Sequence, residues 1–205
     1  MEIPASSPIA SDHSVTLDYD RLELEADSSE EIYQLIQSYQ KASGDSADMK
    51  AAYTRVSSLY LLLGAEYSKS KSQQRKYYKQ AAGFAEQALH MDETFRSARG
   101  AGLAIPEAAK DIDVDTFEPL FLWATAVFYH FRDVASLPER ILFNRRLRQA
   151  ADALEMMIGK YPDWYGGSLQ FSLGIYYLSV PDFKEYAMNL IDRIFVVGED
   201  EDAPS

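Results

Sequence analysis

The sequence predicts an all-α protein, a helical repeat of about seven helices arranged in antiparallel pairs. Three observations carry this. The pattern S-L-x-x-x-L-G-x-x-Y is written twice, as SLYLLLGAEY over 58–67 and as SLQFSLGIYY over 168–177, 110 residues apart. Apolar residues recur three and four apart through most of 28–197, which is the period of a helix with one buried face. Glycine and proline punctuate that pattern at the places where helices end and begin, as at Gly44, Pro138 and Pro181.

Taken in order, residues 1–27 are rich in Ser, Pro and Asp and predict a disordered acidic tail, in which Val15 to Leu24 alternate weakly enough for a short extended arm. The first helix starts at Ser28, where Ser28 and Glu31 have capping-box spacing, and buries Ile32, Leu35, Ile36 and Tyr39. The second runs over about 47–69 and turns Met49, Ala52, Tyr53, Val56, Leu59, Tyr60, Leu63 and Tyr67 inward. The third covers about 73–91, with a stripe of Tyr77, Ala81, Phe84, Ala85, Ala88 and Leu89. Residues 95–115 read as a connector holding one short helix at Pro106. The fourth helix, over 117–135, is apolar nearly all round and therefore central. The fifth opens at Leu137–Pro138 and ends near Gly159, the sixth spans about 164–178, and the seventh about 181–197. Residues 198–205 form a second disordered acidic tail, so the helical-repeat domain is 28–197.

The net charge of −12 belongs to those tails. Residues 1–27 hold seven acids and one base, and 198–205 hold four acids and no base, which leaves 21 acids and 19 bases between them. An acidic chain without a basic stripe argues against nucleic acid and against anionic membrane. The absence of cysteine removes disulfides, thiol nucleophiles and thiolate zinc sites. No apolar run approaches the length of a membrane span. The N-terminal residues carry no basic region followed by an apolar one, so the chain as given is expected in the cytoplasm, or in the periplasm if a leader or lipoprotein signal was removed.

The repeated decapeptide has a packing logic. A glycine in a helix costs about 1 kcal/mol relative to alanine, so glycine at matching places in two helices points to close approach of a neighbour. The first pair offers Tyr60, Leu63, Gly64 and Tyr67 on one helix and Ala81, Ala85 and Ala88 on the next. The last pair offers Leu173, Gly174 and Tyr177, then Ala187, Ile191 and Ile194. Between them, Trp123 on the fourth helix faces Ala150, Leu154 and Met157 on the fifth, with Val127 where the glycine would stand. This is the tetratricopeptide-like arrangement of aromatic, Leu-Gly and small residues.

Few residues assemble chemistry. His130 lies among aromatics on the apolar fourth helix and reads as a buried polar contact or a core residue. Asp111, Asp113 and Asp115 have the spacing of a calcium loop, but Thr116 and Leu122 stand where that loop needs Gly and Glu. RGAGLA, over 99–104, has glycines without the preceding strand or following Lys-Ser of a phosphate loop, and reads as a flexible connector. Arg140, Arg145, Arg146 and Arg148 cluster on the fifth helix. Arg145 and Arg148 share a face, either as a solvated surface or as a carboxylate grip for a ligand or the chain's own acidic tail.

The stretch over 117–177 resembles the TatT component associated with TRAP transporters. The resemblance rests on Trp123, Ala124 and Ala126 in one helix, Leu137–Pro138 before the next, and the turn from Pro162 to Gly167. LLLGAEY and YKQAAGFAEQAL resemble that family's earlier segment. It implies a tetratricopeptide-like protein with an internal apolar cavity, no enzymatic activity, trimers, and a periplasmic solute-binding protein as partner in ligand uptake. From the residues themselves, a non-enzymatic binding or scaffold protein is expected, with no cofactor and no metal. Its ligand is a protein partner or a small amphipathic molecule held by cavity or groove walls at Tyr60, Tyr67, Trp123, Tyr129, Trp164 and Tyr177. A cytoplasmic adaptor or oligomerisation domain, and an enzyme of a helical class around His130, are the alternatives.

Overall fold

In a computed structural model of the chain, which describes residues 26–41 and 46–178, four helices open on side-chain caps. Helix α1 (Ser29–Lys41) begins as its capping box predicts: Glu31 N–H donates to Ser28 Oγ at 3.3 Å, and Ser28 N–H donates to Glu31 Oε2 at 3.1 Å. The Ser28 hydroxyl and the Asp27 N–H hold the Glu31 carboxyl below its ordinary range. Helix α3 (Lys71–His90) is capped by Ser70 Oγ, which accepts from Gln73 N–H at 3.2 Å. Helix α4 (Glu93–Gly100) is capped by Asp92, which accepts from Phe95 N–H at 2.9 Å. Helix α7 (Leu137–Lys160) opens on Ser136, whose N–H donates to Glu139 Oε2 at 2.9 Å.

Helix α4 corrects the reading of 95–115 as a connector. Its cap, Asp92, precedes that segment, and its single apolar anchor, Phe95, gives no periodicity to detect. RGAGLA is likewise ordered rather than flexible. Gly102 takes a φ of +88°, Gly102 N–H donates to Arg99 O at 3.0 Å, and Leu103 N–H reaches back to Ala98 O at 3.2 Å, which together terminate α4. The short helix expected at Pro106 is α5 (Ile105–Ala108), and a 3₁₀ turn at Val114–Thr116 leads on to α6.

Helices α2 (Ser46–Leu62) and α6 (Phe117–Tyr129) share an ending that the sequence did not announce. Each passes into one π-helical turn, Leu63–Tyr67 and His130–Val134 respectively. A 3₁₀ turn at Trp164–Gly167, with Gly166 and Gly167 at positive φ, precedes α8 (Ser168–Leu178).

The described residues contain eight α-helices and no strand, packed as an all-α helical repeat. Helix α3 lies at the centre, against α2 on one side and α6 on the other. Helix α1 covers α2, α7 packs on α6, and α8 packs on α7. The alanine stripe explains the closeness at α3: Ala81, Ala85 and Ala88 are fully buried, and Ser57 on α2 donates its hydroxyl to Ala81 O at 2.9 Å. Ala150, Leu154 and Met157 are fully buried on the matching face of α7. Trp123, Phe117 and Leu120 make α6 the central rod that its composition predicts. No described helix is long and apolar enough to cross a membrane. Both acidic tails except Ala26 and Asp27, the Gly44 turn and the helix expected over 181–197 lie outside the described residues. So does the expected partner of Gly174, which is itself buried in α8.

Candidate functional site

The seam between α3 and α7 is the place to look for a ligand. These helices stand apart, both resting on α6, and side chains span the distance between them. At one end Arg75 Nη2 on α3 meets Glu139 Oε2 on α7 at 3.0 Å, and further along Arg146 on α7 meets Glu86 on α3. Between those ties lies a cavity of about 260 Å³. Its walls are Ala82 and Gly83 from α3, Ala126 and Val127 from α6, and Leu147 from α7. Lys79, Glu86 and Arg146 contribute charge at its edge. Gly83 is half-buried, and a Cβ built there meets nothing within 4 Å.

His130 and Tyr78 line the same cavity. His130 is buried, and burial is the main reason its pKa falls below the ordinary 6.5. Lys79, Arg75 and Arg146 push in the same direction and Glu139 opposes them, so the ring is neutral at pH 7. Tyr78 is held at three points. Its hydroxyl donates to Asp133 Oδ2 at 3.0 Å, its ring meets Tyr129 edge-on at 5.6 Å, and its other edge presses on Gly64. Burial, then the Asp133 charge, raises its phenol pKa. Asp133 is itself fixed by Arg132 Nε at 2.5 Å, and the Arg132 guanidinium lies 4.6 Å from the Tyr129 ring centroid.

Beyond the Glu86–Arg146 tie the seam widens into an open cleft of about 530 Å³ between α7 and the turn at Gly102–Ile105. Glu86 marks the boundary, because its Oε1 accepts both from Arg146 and from Trp123 Nε1, the latter at 2.9 Å. The cleft carries Arg99, Arg145 and Gln149 on its walls. Arg145 and Gln149 also border a neighbouring depression of about 440 Å³, together with Arg148 and Asp152.

The residues singled out from the sequence are distributed over the molecule. Trp123 is fully buried and borders the cleft through its indole. Tyr60 is stacked on Phe84 at 5.7 Å in the α2–α3 seam, and Tyr67 packs beside it against the core of the first three helices. Tyr129 flanks Tyr78. Trp164 stands edge-on to Phe121 at 5.6 Å, and Tyr177 donates to Glu155. These six residues therefore do not line one common cavity. Arg145 and Arg148 are brought together, in the depression beside the cleft. Asp115 has a different partner, Lys50 Nζ at 2.7 Å, whose hydrogen bond lowers the Asp115 pKa. No group of three or more metal-binding side chains occurs among the described residues.

Sequence reasoning did not single out Gly83, Lys79, Glu86 or Arg99. Lys79 and Glu86 lie on helical repeats of Gly83's surroundings, at offsets of four and three, so a scan for charged residues around an unexplained helical glycine would have found them. No family model, curated protein or solved structure matches the chain.

Proposed function

We propose that the chain is a non-enzymatic helical-repeat binding module that holds a small amphipathic molecule in the cavity between α3, α6 and α7. The observation that carries this reading is the cavity itself, walled by Ala82, Ala126, Val127 and Leu147 and edged by Lys79, Glu86 and Arg146. Ordinary core seams leave no such space, because protein interiors pack to crystal-like density. The volume of about 260 Å³ lies just below the usual range for small-molecule sites, so the ligand is small. An apolar body would lie against Ala82, Val127 and Leu147, and an acidic end would face Lys79. The sequence resemblance to the TRAP-associated TatT component supports the same reading, and adds a solute-binding protein as the partner that receives or delivers the ligand.

The test is calorimetric titration with hexanoate, octanoate and decanoate. At least one is expected to saturate the wild-type protein, and Gly83→Leu, which adds a bulky side chain to the cavity wall, should abolish that binding. Absence of saturation with every chain length, or undiminished binding by Gly83→Leu, refutes the reading.

A second reading, a protein–protein adaptor or oligomerisation domain, is favoured by Ile141 and Leu142, each 79% exposed on α7. Sedimentation velocity separates the two: self-association that disappears on Leu142→Asp supports the second.

A further inference from the structure

The open cleft beyond Glu86 holds cations whose geometry the cavity does not explain. Arg99 ends α4 and points back over its own turn, where Nη1 donates to Leu103 O at 2.5 Å. That bond orients the guanidinium and leaves Nη2 for another acceptor. Nε is closed off from solvent and has no acceptor among the described residues, so it is Nη2 that the cleft can use. A hydrogen bond from a guanidinium to a carboxylate or phosphate is charge-assisted and about twice as strong as a neutral one.

Across the cleft, Arg145 has no ion-pair partner among the described residues. The third arginine, Arg146, is already committed to Glu86, and Glu86 is further occupied by the Trp123 indole. The Arg99 and Arg145 guanidinium groups thus line one space, with the Gln149 amide beside them, Leu142 and Ile105 supplying apolar surface, and Glu107 and Asp152 in the depression that Arg145 also borders.

We propose that this cleft is an oxyanion site, which takes the carboxylate or phosphate group of a small ligand between the guanidinium groups of Arg99 and Arg145. The order of the elements explains why the site exists. Gly102 at positive φ turns the chain so that Leu103 O can receive Arg99 Nη1, and α5 then packs against α7, which sets the Gly102–Ile105 turn opposite Arg145. The inference stands apart from the cavity reading, because the Glu86–Arg146 tie separates the two spaces.

The experiment is titration of the full chain with inorganic phosphate and, separately, with acetate, at low ionic strength, in the wild type and in Gly83→Leu. Saturable binding in the millimolar range or tighter is expected for at least one anion, equal in both proteins, and weaker as sodium chloride is added. Stronger binding of phosphate identifies a phosphate ester as the ligand class, and stronger binding of acetate a carboxylic acid. Arg99→Gln removes the charge, and should weaken binding by about tenfold or more. Arg145→Gln is an exposed change that leaves folding intact, and should weaken it similarly. Absence of saturation with both anions, binding that survives both substitutions, or binding lost in Gly83→Leu overturns the proposal.

Discussion

The two seams that flank α3 differ in one respect, and a glycine reports it in each. On the α2 side, Gly64 is closed in: a Cβ there would lie 2.4 Å from Tyr78 Cε1 and 2.7 Å from Cδ1. On the α7 side, Gly83 is open, with nothing within 4 Å of the same added atom. The first glycine permits a neighbour to approach. The second stands where no neighbour has approached, and its presence costs helix stability without a packing return. The comparison teaches that the same residue type stands at a close approach on one side of α3 and beside open space on the other.

The largest effect that tests this contrast comes from Trp123→Ala. Trp123 is fully buried beneath the α3–α7 seam, and its loss also strips the indole donor from Glu86. Unfolding free energy should fall by about 3–5 kcal/mol in urea melts. If hexanoate or octanoate still binds the folded fraction, Trp123 is support for the site rather than part of it. Next, Gly64→Ala should destabilise by about 1–3 kcal/mol, because the ring it meets is pinned by Asp133 and Tyr129. Gly83→Ala should do the opposite and stabilise by about 0.5–1 kcal/mol, through helix propensity alone. Equal signs for the two alanine substitutions would erase the distinction between the seams.

The smallest effect is a pH dependence. His130 titrates below its ordinary 6.5 in the folded protein, so the unfolded chain binds more protons over the interval between the two values. Its contribution to stability is complete above 6.5 and is lost as pH falls through the lowered folded value. Comparing urea melts at about pH 7.5 and about pH 5.5, His130→Gln should show a smaller loss than the wild type.

Much of the fold was legible because its signals are local. The capping box at Ser28, the stripe of Ala81, Ala85 and Ala88, and the all-round apolar α6 follow from spacing within one helix. Gly64 was legible too, since Leu-Gly-x-x-Tyr recurs. Helix α4 was hidden because one cap and one phenylalanine make no period. The site was hidden for a different reason. Whether Gly83 faces a ring or a void depends on how far α7 stands from α3, and that distance is set by Arg75–Glu139, Glu86–Arg146 and the width of α6 between them. Arg145 and Arg148 were visible as a pair on one helix, whereas Arg99 joins them only because Gly102 reverses the chain.

The π turn at the end of α6 has one more consequence. Ala135 N–H donates to His130 O, five residues back, at 3.0 Å, so this turn holds an additional residue compared with the α-helix before it. One residue corresponds to about 100° of rotation about a helix axis. Asp133 reaches the Tyr78 hydroxyl from that turn. Shortening the chain by a single residue between 130 and 132 would restore regular winding, yet swing the carboxylate away from α3. The ring that closes against Gly64 would then lose its far anchor, and the contact between α3 and the end of α2 would loosen.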